Sequence, residues 1–286
     1  MISSLTLTYL GTNSLVISDT RTKLLIDPHF TRPANLLGPA ILYKRIEPNK
    51  ALIASTLAQA GVTSADAILI THTHYDHALD AVDTALLTGA PLIGSVSVSM
   101  LPGASSLPGG KLVSASDHRE FCFGNFSVTF LPSRHLDIPL VSQWTAIYGR
   151  QINKTFSLPA SALAYKVGDV FNLQIKHPIG SILILGTASP IPTPVDTSNT
   201  NVALSVGGLN VKSKKYIEQY IESFDLRTGR CNFILTHWDD FSKQLYTPAC
   251  NLPGMQRVYK TINQHLSKKT TACRVIKPQF FDTIVL

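Results

Sequence analysis

Ile68-Leu69-Ile70-Thr71-His72-Thr73-His74-Tyr75-Asp76-His77 decides what kind of protein this chain is. The apolar run Ala67–Ile70 predicts a short buried strand ending at Thr71. Three imidazoles and a carboxylate then crowd into positions 72–77. Residues two apart in an extended segment point the same way, so His72 and His74 can approach one ion together. Asp76 and His77 fall at the start of a helix predicted over His77–Leu87 and stopped by Gly89. They face another direction, which suits a second ion. Imidazole nitrogen with carboxylate oxygen is a donor set that zinc favours. The competing explanation, Asp76 as a helix cap among surface histidines, leaves the density of imidazoles unaccounted for.

Upstream, Leu5–Leu10, Ser14–Ser18 and Lys23–Ile26 alternate like strands, and turn residues at Gly11–Asn13 and Asp19–Arg21 separate them. An antiparallel meander is expected, ending at Asp27-Pro28. A helix is expected across Lys50–Ala60, stopped by Gly61. Downstream, Phe126–Leu131, the pair Ala162–Val167 with Val170–Ile175, and the pair Ser181–Gly186 with Val202–Val206 predict further strands. A lysine-rich helix over Val211–Phe224, a strand over Asn232–Thr236 and a helix over Met255–Leu266 follow. This order predicts two sheets face to face with helices outside, in one domain spanning residues 1–286. The irregular stretch 136–160 reads as an insertion.

HxHxDH after a buried strand resembles the metallo-β-lactamase fold superfamily. Within it, the opening hairpin running into Leu24-Leu25-Ile26-Asp27-Pro28 resembles the branch of ascorbate-6-phosphate lactonase and N-acyl phosphatidylethanolamine phospholipase D. The resemblance implies an α+β fold, a four-layer αββα sandwich. It implies a first metal site of His72, His74 and His135, and a second of Asp76, His77 and His237. Asp27 would support the metal loop without being a ligand. One expected ligand is missing. The strand Ser181–Gly186 runs into Thr187, where dinuclear members carry a bridging aspartate. Asp196 or Asp239 are the acids that could substitute. The implied cofactor is zinc, one ion or two, with manganese or iron as alternatives. His29 lies close enough to Asp27 in sequence to be a candidate neighbour of the site, whereas His118, His177 and His265 read as surface or loop residues.

The chemistry so implied is hydrolysis of an ester, lactone or phosphoester by a metal-activated water. Asp76 would orient that water or accept its proton. His237 would either bind the second ion or protonate the leaving group. Trp144, Tyr148 and Arg150, in the insertion after His135, are candidates for substrate contact, with simple packing at the rim as the other possibility. Two alternatives stay open. One is a metal-dependent nuclease or phosphodiesterase, against which the loss of the bridging carboxylate counts. The other is a degenerate member that binds metal or ligand without turnover.

Composition narrows the field. Charged residues make up 15% of the 286 positions and hydrophobic ones 44%, too apolar for a disordered chain. No apolar run approaches the ~20 residues a membrane-spanning helix needs. No basic residue precedes Arg21, so the start does not read as a signal peptide, and a cytoplasmic location is expected. Cys122, Cys231, Cys250 and Cys273 lie far apart, which argues against a disulfide framework or a cysteine zinc site. Residues 1–150 carry 10 basic and 10 acidic side chains, so the net +7 falls wholly in residues 151–286. Such a field attracts an anionic small molecule. The basic residues are not interleaved with aromatics as in RNA-binding modules, which weakens a nucleic-acid partner without excluding it. Serine-nucleophile, P-loop and dinucleotide-binding motifs are absent from the sequence. Nothing in the pattern specifies an oligomeric state.

Overall fold

The computed structural model describes residues 4–33, 44–138, 150–191, 200–224, 231–245, 248–269 and 273–286. Strands β1 (Thr6–Tyr9), β2 (Leu15–Ser18) and β3 (Lys23–Ile26) form the expected antiparallel meander. The turn between β1 and β2 needs Gly11, whose φ is +96° and whose missing Cβ would lie 2.1 Å from the Arg32 guanidinium. The Asp19 carboxylate makes the second turn by accepting the backbone N–H groups of Arg21 and Thr22.

Short β4 (Arg45–Ile46) leads to helix α1 (Lys50–Gln59), which the Asn49 side chain caps. Strand β5 (Ala67–Leu69) lies parallel to β3 and is followed by α2 (Tyr75–Ala78) and α3 (Ala81–Thr88). Next come β6 (Leu92–Gly94) and β7 (Leu112–Ser114), both in parallel register. Strands β8 (Glu120–Phe123) and β9 (Phe126–Pro132) open the second sheet as a hairpin. Strand β10 (Ala160–Ser161) pairs with β4 alone. Strands β11 (Phe171–His177), β12 (Gly180–Ile184), β13 (Thr200–Ser205) and β14 (Cys231–Thr236) continue the second sheet, with α4 (Lys214–Glu222) between the last two. Helix α5 (Met255–Lys269), β15 (Cys273–Ile276) and β16 (Thr283–Val285) complete the chain. The strand orders are β16-β1-β2-β3-β5-β6-β7 and β15-β14-β13-β12-β11-β9-β8.

Strand periodicity creates the layers. Along β5 and its end, Ala67 and Leu69 join the core between the sheets, while Ile68 and Ile70 join a second core. That second core includes Ile53 and Leu57 of α1 and Val82 and Ala85 of α3. On the other side, Ile217, Tyr220 and Ile221 of α4 and Val258 and Ile262 of α5 cover the second sheet. A strand residue must face one layer or the other, so an apolar run on both faces requires helices outside and a sheet inside. The fold is the expected α+β sandwich of two sheets flanked by helices.

Several local expectations change. The single helix predicted over His77–Leu87 is two, α2 and α3, divided at Asp80. There the Asp80 carboxylate accepts the backbone N–H groups of Phe30 and Thr31, both at 2.6 Å, in place of capping α3. The strand predicted over Ala162–Val167 is a 3-10 turn at Ala162–Ala164. Strands β15 and β16, four and three residues long, were not expected. Cys122 and Cys250 are free and exposed, but Cys273 is disulfide-bonded, which distances along the chain did not suggest. His177, expected at the surface, is buried with Nε2 3.3 Å from Asp19 Oδ2. Of the stretch 136–160, residues 139–149, with Trp144 and Tyr148, lie outside the described residues, as does Asp196. No helix among the described residues is long and apolar enough to cross a membrane.

Candidate metal centre

One rim of the sandwich collects the chemistry, because the C-terminal ends of β3, β5, β9, β12, β13 and β14 all open there. Asp27 follows β3, His72 and His74 follow β5, and Asp76 and His77 lie in α2. His135 follows β9, Thr187 follows β12, Gly207 follows β13, and His237 is the first residue after β14.

The side chains converge in two groups. His72, His74 and His135 offer ligand atoms that all lie within 4.8 Å of one another, and so do Asp76, His77 and His237. The two groups touch, with ring centroids of His72 and His77 3.9 Å apart. All six sequence-predicted site residues are therefore brought together. His237 Nε2 and Asp76 Oδ2 lie 3.1 Å apart.

The hydrogen bonds leave one donor atom free on each of three imidazoles. His72 Nδ1 lies 3.2 Å from Thr71 Oγ1, and its buried Nε2 has no partner among the described residues. His135 uses Nδ1 to donate to Leu136 O at 2.9 Å. His77 uses Nδ1 to donate to Asp27 Oδ2 at 2.8 Å. Tying one imidazole nitrogen while freeing the other is how proteins aim a histidine at an ion.

Electrostatics agree with that use. Burial pushes His74 down to about 3 and His135 down to about 4, and it carries His72 well below the usual histidine range. Neighbouring imidazoles add to these shifts for His72 and His74. The three are neutral at pH 7, the state a metal ligand requires. Burial alone would raise Asp76, but the charges of His77 and His237 outweigh it and hold the carboxyl well below its ordinary range. Burial opposes a charge on His77, yet Asp27 and Asp76 raise its pKa. The donor atoms of both groups, and the neutral imidazoles of the first, fit a metal such as zinc.

Asp27 is the organiser. It is fully buried, has φ +43°, and accepts Asn13 Nδ2, Thr71 N, Thr71 Oγ1 and His77 Nδ1 at 2.6–2.8 Å. The supporting role expected for it is what its contacts show. Thr187 Oγ1 accepts the Leu136 N–H at 2.9 Å, so this hydroxyl braces the loop after His135. Asp239 joins neither group. It binds Tyr9 OH, Thr12 N and the Arg32 guanidinium, whose Nη1 lies 2.7 Å away. Beyond the 136–160 stretch, Lys166 O accepts Thr73 Oγ1 and Val167 O accepts Thr73 N, so residues 166–167 border the site.

Sequence inspection missed three supports. Gly207 lies where any Cβ would meet the His237 ring at 2.6 Å. His237 itself has φ +58°, and its N–H donates to Thr12 O. Arg32 and Asp239 form a buried ion pair beside it. A buried arginine has no mark in sequence, whereas the Gly207-Gly208 pair after β13 was at least visible.

A family model described as Beta-lactamase superfamily domain matches residues 6–155. A UPF0173 metal-dependent hydrolase of Rhizobium meliloti is 33% identical over 127 residues, 44% of this chain and 46% of that protein. The chain spans less than half the length of the curated relatives it matches. Igni18, a metallo hydrolase from Ignicoccus hospitalis, has the same fold at a TM-score of 0.56, with 12% identity and 99% of both chains covered. CmlA, a diiron β-hydroxylase from Streptomyces venezuelae, is similar at a TM-score of 0.52 and 13% identity, over 100% of this chain and 55% of that one.

Proposed function

The chain belongs to the beta-lactamase superfamily, and from that premise we propose that it is a metal-dependent hydrolase of an ester, lactone or phosphoester bond in a small anionic substrate. His72, His74 and His135 would hold one zinc ion, and Asp76, His77 and His237 would hold a second where two are bound. Manganese and iron are alternatives, iron because a diiron protein shares the fold. Such an ion, when bound, lowers the pKa of its water to about 7 and polarises the bond under attack.

The chain's own residues do the rest. Asp76, ionised beside its imidazole neighbours, orients the attacking water or accepts its proton. His237, 3.1 Å from Asp76, holds the second ion or, with one ion bound, protonates the leaving group. Lys166 and Val167 clamp Thr73 between two ligands and keep His72 and His74 in register. The observation that carries this proposal is the convergence of the two three-residue groups, each within 4.8 Å.

The test is elemental analysis of protein purified without added metal, followed by zinc titration and a panel of lactones, phosphodiesters and nitrophenyl esters. At least one equivalent of metal and a metal-dependent hydrolysis are expected. Less than about a tenth of an equivalent, with no uptake on titration, refutes the assignment.

A further inference from the structure

His29 is a fully buried histidine that belongs to neither metal group. Its backbone is fixed on both sides. The His29 N–H donates to Ser14 Oγ at 2.8 Å, and the next two N–H groups donate to Asp80. Its ring stands edge-on to Tyr75, centroids 5.9 Å apart, and to Phe241 at 6.5 Å. Phe241 also packs edge-on against His237 at 5.1 Å, so His29 shares a wall with the second metal group.

Its neighbours accommodate an Nε2–H tautomer. Arg32 Nη2 donates to Thr12 Oγ1 at 3.3 Å, and a guanidinium can only donate. When Thr12 donates its hydroxyl proton to His29 Nδ1, 3.1 Å away, the same oxygen still accepts Arg32 through a lone pair. The imidazole's own proton then sits on Nε2. Burial, and next the nearby Arg32 charge, push the His29 pKa down to about 3, so the ring is neutral. The result is a rigid N–H donor whose Nε2 is buried and has no partner among the described residues. Buried donors are nearly always satisfied, so an unmatched one beside a reactive centre points to a ligand atom.

We propose that His29 is a substrate-binding residue whose Nε2–H donates to an oxyanion, phosphate or carboxylate, of the molecule held at the Asp76–His77–His237 group. The proposal rests on the hydrolase assignment above. A charged oxygen is the acceptor that gains most from a fixed donor in a dry pocket.

Nitrogen-15 NMR of the imidazole rings in zinc-loaded protein tests it, with inorganic phosphate and acetate as probes. The His29 signals, identified by their loss in His29→Phe or in His29→Gln, are expected to show the Nε2–H tautomer. The Nε2–H resonance should move on adding phosphate or acetate, and the ion giving the larger shift tells phosphoryl from carboxyl substrates. By calorimetry, His29→Phe should weaken phosphate binding about 10- to 100-fold at unchanged zinc content, and His29→Gln by less. An Nδ1–H tautomer overturns the proposal, as does a resonance that neither ion moves, even if His29→Phe fails to fold. Zinc uptake without a phosphate response overturns this proposal alone. No zinc uptake by the wild-type protein overturns the hydrolase assignment and this proposal with it.

Discussion

Gly207 is where a single methyl group would strike a candidate ligand directly. The His237 ring occupies the space a Cβ would need, at 2.6 Å from Nδ1, so Gly207→Ala must displace that imidazole. Binding of the second ion should weaken about 10- to 100-fold, read by chelator competition, with the first ion unaffected. Equal affinities in variant and wild type would show that His237 is not a ligand. Thr187 makes a different point. Its hydroxyl is taken by Leu136 N, so the position where a bridging carboxylate was expected serves the loop after His135. Thr187→Val should cost about 1–3 kcal/mol in urea unfolding, because it strands a buried N–H. Protonation at this scale also sets the acid limit. His29, His74 and His135 titrate at about 3, 3 and 4 when folded, against 6.5 in the unfolded chain. The unfolded chain gains protons first as pH falls, so the metal-free protein loses stability from about pH 6.5 downward. Asp80 has the opposite sign: burial lifts it to about 6, so its penalty fades as pH falls toward 4. Melting temperatures of metal-free Asp80→Asn should therefore fall more steeply between pH 6 and 4 than those of the wild type.

At the scale of elements, the site is a meeting of strand ends, and Asp27 joins them. It links the β1–β2 turn through Asn13, the end of β5 through Thr71, and α2 through His77. Asp27→Ala leaves several buried donors without an acceptor and should destabilise the fold by about 3–5 kcal/mol in urea titration. A loss under about 1 kcal/mol would mean the strand ends hold without it. Some strands were legible because they alternate locally, as in the half-buried and buried pattern of Thr6–Tyr9, and others, such as Ala67–Leu69, as short apolar runs. The division of α2 from α3 was not. Asp80 sits within a continuous helical periodicity, and only the tertiary approach of Phe30 and Thr31 gives its carboxylate a reason to break it.

At the scale of the molecule, residues distant in sequence are tied by the buried Arg32–Asp239 pair, packed against Phe280 and Tyr9. Both sheets feed one core, from Leu7 and Ile17 to Phe130 and Leu204. We propose that the whole chain, residues 1–286, unfolds as one domain. Far-ultraviolet and near-ultraviolet circular dichroism should then report a single coincident transition, and two separated transitions would refute it. Arg32→Met leaves Asp239 buried and unpaired and should lower that one transition by about 3–5 kcal/mol without splitting it.

What the sequence alone determined was everything written in neighbouring residues. The buried strand before His72, the His72–His74 alternation, the Asp76–His77 pair and the period-two pattern behind two sheets are all local, and local geometry follows from the chain's own repeat. The same holds for the resemblance that placed His135 and His237, since those positions were carried over by order along the chain. Tertiary structure decided the partners of each side chain. It set Thr187 against Leu136, Gly207 against His237, Asp239 against Arg32 rather than a metal, and Thr12 against His29. Those pairings depend on which strand ends share a rim, and that is settled by sheet register and core packing, which no spacing along the chain encodes.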